Sequence, residues 1–166
     1  MHPLRLAFVA ALLFATLAAT AATPPADEQQ MQRLALCQDS WFDWRDDEAR
    51  MTRFASSIES RFNASPQGEG AYLPKTPLQV LGQAVTHVYP QSVGMGVGFS
   101  VALSADLAQA RNAIEKQLGK PMACAKSDGM QACELKVGAK KTVVLMAPLG
   151  SPAKTSLVGC YYFYQQ

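Results

Sequence analysis

Residues 121–137 read PMACAKSDGMQACELKV, and this stretch decides the architecture. Asp128-Gly129 suits the two central positions of a tight hairpin turn, where both residues need positive φ. With that turn in place Ser127 faces Met130, and stepping outward Lys126 faces Gln131, Ala125 faces Ala132 and Cys124 faces Cys133. Opposed pairs alternate between hydrogen-bonded and non-hydrogen-bonded, and Cys124 with Cys133 falls in the closer class, with Cα atoms ~4.5 Å apart. A disulfide tolerates that separation. The segment therefore reads as an antiparallel hairpin closed by its own bridge.

Working outward, Ser104 is expected to cap a helix that buries Leu107, Ala110, Ile114 and Leu118 and stops at Gly119-Lys120-Pro121. After the hairpin, which includes a strand over Met130 to Val137, further strands are expected over Thr142 to Ala147 and Thr155 to Tyr164. Before the helix come Gln83 to Tyr89 and Met95 to Leu103, the second alternating Met95, Val97, Phe99, Val101 and Leu103 with Gly94, Gly96, Gly98, Ser100 and Ala102. Asn63 to Pro77 holds three prolines and two glycines without periodicity, so residues 63–77 are expected to be a long loop.

Two helices precede that loop. One spans about Asp27 to Cys37, with Met31, Leu34 and Ala35 on one side. The second opens with a capping-box pattern at Ser40 and Asp43, acids in its first turns and arginines later. Its seam runs Trp41, Trp44, Glu48, Met51, Ala55, Ile58, Phe62, with one charged violation. The resulting order is αα-ββ-α-ββββ. This is an α+β fold, a mostly antiparallel sheet with helices packed on one face.

At the start of the chain a short basic region, an apolar stretch from Leu6 to Leu17 and small residues at Ala19-Thr20-Ala21 form the pattern of a secretory signal. Residues 1–21 are expected to be removed, leaving one α+β domain over 22–166 with a mobile leader at 22–26. The expected location is periplasmic or secreted, with no integral membrane segment after cleavage. Removing Arg5 leaves 14 basic against 13 acidic residues, too balanced to favour nucleic acid. The charge is unevenly spread: nine acids and five arginines from Asp27 to Glu69 give −4, and nine bases and four acids from Gly70 onward give +5.

An exported chain with four cysteines favours two disulfides. With Cys124 paired to Cys133, Cys37 and Cys160 remain, and that bridge ties the N-terminal helical region to the last strand. Leu34-Ala35-Leu36-Cys37 faintly matches a lipid-attachment box, but leucine before the cysteine and its distance from the apolar stretch argue against it.

Catalytic patterns are mostly excluded. His87 is the only histidine after the signal, and disulfide-bonded cysteines are lost as ligands, so no metal site or cofactor is expected. Gly98-Phe99-Ser100-Val101-Ala102 resembles a nucleophile elbow only superficially, since it lies inside a strand and no histidine follows. Gly94, Gly96 and Gly98 have the wrong spacing for a dinucleotide site and read as a face that another surface approaches closely. The acidic stretch from Asp39 to Glu48 lacks calcium-loop spacing and suits a helix N-terminus. Trp41, Phe42, Trp44 and His87 read as structural.

The expected function is that of a non-enzymatic binding protein of inhibitor or immunity type, acting on another protein. An envelope structural or assembly accessory, and a carboxylate-dependent hydrolase, are the alternatives. If Cys160 faces the helices, Val158, Tyr162 and Tyr164 share its side and Tyr161 and Phe163 face away. The expected binding surface is that far side: Tyr161, Phe163, Gly94, Gly96, Gly98 and Ser100. Packing of these aromatics into the glycine grooves, with no partner, is the competing expectation.

Overall fold

The computed structural model describes residues 26–39, 48–66, 70–90, 97–150 and 154–162. The first helix, α1, spans Ala26–Ala35 and buries Met31, Leu34 and Ala35. It ends two residues short of the expected Cys37. Cys37 itself is left-handed at φ 57°, its N–H donating to the Leu34 carbonyl at 3.3 Å, while Gln38 N–H donates to the Arg33 carbonyl at 2.8 Å. This is the paired closure of a Schellman cap, with cysteine where glycine usually stands.

Helix α2 spans Glu48–Arg61 and buries Phe54 and Ile58. Phe54 lies off the expected seam, four residues before Ile58 and so on the same helical face. The Ser40 and Asp43 cap, together with Trp41, Phe42 and Trp44, lies outside the described residues. Lys75 reaches back so that its Nζ donates to the carbonyls of Glu59 and Ser60 at 3.1 and 2.9 Å, closing the C-terminal end of α2.

The expected loop over 63–77 is corrected. Phe62–Ala64 forms β1 and Tyr72–Pro74 forms β2, paired antiparallel from Phe62↔Pro74 to Ala64↔Tyr72. Strands this short, with a proline at the edge, carry no readable alternation. Gln79–Val80 forms a further unexpected strand, β3, which pairs with β4 over Gln83–Tyr89.

The expected strand from Met95 is described as β5 over Val97–Leu103. Next comes α3, Leu107–Leu118, followed by β6 over Ala123–Ser127, β7 over Met130–Lys136, β8 over Lys141–Pro148 and β9 over Ser156–Tyr162. The α3 cap is corrected from Ser104 to Asp106. Its side chain accepts from Gln109 N–H at 2.8 Å, and Gln109 Oε1 accepts from Asp106 N–H at 3.3 Å. The cap two residues later leaves Ala105 free to be buried.

The sheet runs β1-β2-β4-β5-β9-β8-β7-β6, every neighbouring pair antiparallel, with β3 paired to β4 off this path. The last strand of the chain is thus central, between β5 and β8. Register places Phe99, Val101, Leu103, Val143, Leu145, Val158 and Cys160 on one face. Met31 and Leu34 of α1, Phe54 and Ile58 of α2, and Ala110 and Ile114 of α3 share one buried cluster with residues of that face. A bulge between Val85 and His87 resets the alternation, so that Val85 and Val88 both reach the core while His87 turns away.

Two disulfides lock this frame. Cys37 joins Cys160 across a separation of 123 residues, with Cα atoms 4.9 Å apart. Cys124 joins Cys133 with Cα atoms 3.9 Å apart, and the hairpin register is the expected one, from Ala123↔Glu134 to Ser127↔Met130.

Candidate functional site

The face turned away from the helices is built from cross-strand pairs. Tyr161 lies opposite Gly98 and Thr142, and Ser100 opposite Gly159 and Tyr89, so Tyr161, Gly98 and Ser100 share this face. The two glycines are there because the β5 and β9 backbones approach closely. A side-chain carbon on Gly98 would collide with the Cys160 carbonyl oxygen, and one on Gly159 would meet Ser100 Cβ at 2.5 Å and the Phe99 carbonyl oxygen at 2.7 Å.

This face is not open at its centre. Tyr161 is 4% exposed and Ser100 1%, so neither is available in the free chain to touch a partner. Burial pushes the Tyr161 hydroxyl up in pKa, and the nearby Ser100 side chain acts in the opposite direction. Tyr161 Oη nonetheless makes no hydrogen bond of standard geometry among the described residues. Gly94, Gly96 and Phe163, the other expected binding residues, lie outside the described residues.

His87 and Tyr89 stand on the same face, rings stacked with centroids 6.3 Å apart and planes at 25°. His87 Nε2 is buried without a hydrogen-bond partner among the described residues. Of the acidic stretch, Asp39 pairs with Arg33 at 3.5 Å, Glu48 opens α2, and positions 40–47 lie outside the described residues. Among the described residues no cluster of three or more His, Cys, Asp or Glu is placed to hold a metal ion.

Accessible apolar surface lies instead at one end of the sheet. Met130, 38% exposed, is opposite Pro148, and Leu149, 41% exposed, donates its N–H to the Gly129 carbonyl at 2.7 Å. These are the large apolar side chains left exposed among the described residues. The turn that precedes Met130 and accepts from Leu149 is a tight one: Asp128 and Gly129 have φ of 50° and 75°, as that turn type requires. Sequence reasoning placed Met130 in a strand and passed over Leu149. The available signal was a leucine between Pro148 and Gly150, two turn residues.

Beside this tip runs β6, an edge strand of the sheet among the described residues, with all five residues exposed. Its entrance is fixed by α3. Glu115 Oε1 accepts from Met122 N–H at 2.8 Å and from Arg111 Nε at 2.7 Å, and Arg111 Nη2 donates to the Met122 carbonyl at 3.2 Å. The Met122 hydrogen bond and the Arg111 guanidinium hold the Glu115 carboxyl below its ordinary pKa.

No protein-family model, curated protein or solved structure matches this chain. Its two disulfides fit an oxidising compartment, and among the described residues no helix is long and apolar enough to cross a membrane.

Proposed function

We propose that this chain is an exported, non-enzymatic binding protein of inhibitor or immunity type, periplasmic or secreted, whose partner is another protein. The observation that carries the reading is the end of the sheet at the β6–β7 turn, where Met130, on a hairpin closed by its own disulfide, and Leu149, just past β8 and hydrogen-bonded to Gly129 of the turn, stay exposed. Apolar anchors on a backbone held rigid before contact spare the ordering cost of the main chain on binding. Tyr161 and Ser100 are buried in the free chain, and Tyr161 lies opposite Thr142, at the other end of β8 from Pro148, so they do not form this surface.

The test is capture from periplasmic and culture extracts by the immobilised protein, repeated with Met130→Asp combined with Leu149→Asp. Stoichiometric retention of one soluble protein, abolished in the double variant at unchanged melting temperature, is expected. Retention of membrane or wall material alone would overturn the reading in favour of an envelope assembly role.

A further inference from the structure

The outer edge of β6 is closed at one end and open beyond it. In an antiparallel ladder alternate residues direct their backbone groups to opposite sides. The hairpin register directs Ala123, Ala125 and Ser127 toward β7, leaving the N–H and C=O groups of Met122, Cys124 and Lys126 pointing outward. At Met122 both outward groups are taken by Glu115 and Arg111, which stand where a neighbouring strand would. Beyond that clamp no further strand pairs with β6 among the described residues, and its side chains are small apart from Lys126.

The charge around this edge is basic. Lys116 in the last turn of α3, Lys120 in the link and Lys126 on the strand are all exposed. Of the neighbouring acids, Glu115 is engaged with Arg111 and Met122, while Asp128, which accepts from Ser127 Oγ at 3.0 Å, and Glu134, opposite Ala123 on β7, also flank the edge, so the three lysines leave it a basic excess of one charge. An extended segment with acidic side chains meets both demands: its backbone satisfies Cys124 and Lys126, and its carboxylates face the lysines.

We propose that the β6 edge is a strand-docking site for an extended acidic segment of a partner protein, paired through the outward backbone groups of Cys124 and Lys126. This rests on the binding reading above and names a partner chemistry for the side of the hairpin next to the tip. The Cys124–Cys133 bridge holds the edge strand in register before the segment arrives. Lys126 then has two effects: it repels like edges, as lysines on edge strands do, and it attracts carboxylates.

The experiment is an NMR titration of the 15N-labelled protein with a short capped peptide alternating glutamate and valine, and with its lysine–valine counterpart. Shift changes centred on the Cys124 and Lys126 amides are expected, with affinity for the glutamate peptide at least tenfold higher and falling as salt rises. Lys126→Glu should cut that affinity about tenfold at unchanged melting temperature, the size a lost charge pair of ~1.4 kcal/mol gives. Equal binding of both peptides, shifts centred elsewhere, or no shifts would overturn the proposal. Shifts at the same amides that grow with protein concentration and no peptide would assign the edge to a second copy and overturn it too. A partner captured through Met130 and Leu149 but indifferent to Lys126→Glu would leave the function standing and remove only this edge.

Discussion

Two tight turns in this molecule share a backbone shape and differ in what enforces it. Asp128-Gly129 joins β6 to β7 with φ of 50° and 75°, and Leu81-Gly82 joins β3 to β4 with φ of 56° and 69°. Aspartate tolerates the left-handed region because its short polar side chain can bond locally, whereas leucine has no such compensation. Leu81 is held from outside. Its side chain packs against the core and its N–H donates to Gln32 Oε1 of α1 at 3.0 Å, while Glu28 Oε1 accepts from Gln79 N–H at 2.8 Å just before the turn. One turn is written locally and the other is imposed by a helix some fifty residues earlier, so a left-handed residue in this chain is informative only together with its partners.

Cys37 combines the two, left-handed at φ 57° in a local helix cap and bonded covalently to Cys160 far along the chain. The largest expected effect is therefore loss of that bridge. In the chain-entropy model Cys37→Ser with Cys160→Ser should cost about 5 kcal/mol, against about 3 for Cys124→Ser with Cys133→Ser, because the closed loop is so much longer. Urea denaturation of both double variants checks it. Equal losses would mean that residual structure in the unfolded chain, not loop length, sets the cost.

The two faces of β9 extend the contrast to side chains. Tyr161 is buried like a core residue although it lies on the face away from the helices. Tyr161→Ala is expected to lose about 3–5 kcal/mol, as large aromatic truncations do. Tyr161→Phe should lose nothing and gain up to about 1 kcal/mol, because it removes a buried hydroxyl without a hydrogen bond. Phenylalanine should also flatten the alkaline side of the stability profile. With a folded pKa raised by burial, the tyrosine's contribution is fully present below its unfolded pKa and is lost as pH rises through the raised one. Thermal melts across that range decide it, and a Tyr161→Phe variant as damaged as Tyr161→Ala would give the hydroxyl a structural role.

Legibility in the sequence followed the same division. The β6–β7 register, both disulfide pairings, the strand Gln83–Tyr89 and most of α3 were readable because turn chemistry, cysteine spacing and helical period are local or combinatorial signals. The β1–β2 pair and β3 were not. Val80 is buried by contacts supplied from α1 and β4, and nothing in Gln79-Val80-Leu81 announces a strand followed by a left-handed leucine. The expected binding face was legible as a face, through alternation, but not as covered, since burial depends on how closely β5 and β9 approach through Gly98 and Gly159. The exposed Met130 and Leu149 escaped notice for the opposite reason: apolar residues at a strand end read as core until the turn geometry is known.

Smaller effects test the turns directly. Gln32→Ala leaves the Leu81 N–H without its acceptor and should cost about 1–2 kcal/mol. Asp128→Leu puts a bulky residue at φ 50° with no helix to hold it, and should cost about 1–2 kcal/mol although the position is exposed. The two together should add, since independent sites do. Chemical denaturation of the single and double variants provides the measurement. An Asp128→Leu variant as stable as the parent would show that the disulfide, and not the turn residue, enforces the hairpin.

The smallest expected effect concerns the entrance to that hairpin, where a locally written element meets an imposed one. Glu115 accepts from Met122 N–H and from Arg111, and these two contacts, the backbone one larger, lower its pKa. A carboxyl whose folded pKa is depressed contributes stability that is present above its unfolded pKa and lost as pH falls through the folded one. The window therefore lies on the acid side, below the ordinary glutamate range. Glu115 is solvent-accessible, so the loss is modest and screened by salt. Glu115→Gln keeps an acceptor for Met122 N–H and removes the charge. Its melting temperature should sit slightly below the parent's at neutral pH and converge with it as pH falls below the ordinary glutamate range and the parent's carboxyl protonates. Amide exchange at Met122 locates the change: faster exchange there on acidification in the parent, with a flat profile in Glu115→Gln, is the expected pair of results. If acid instead frees Cys124 and the strand beyond at the same pH, then the clamp and not the Asp128-Gly129 turn governs the hairpin, and the division between local and imposed structure fails at β6.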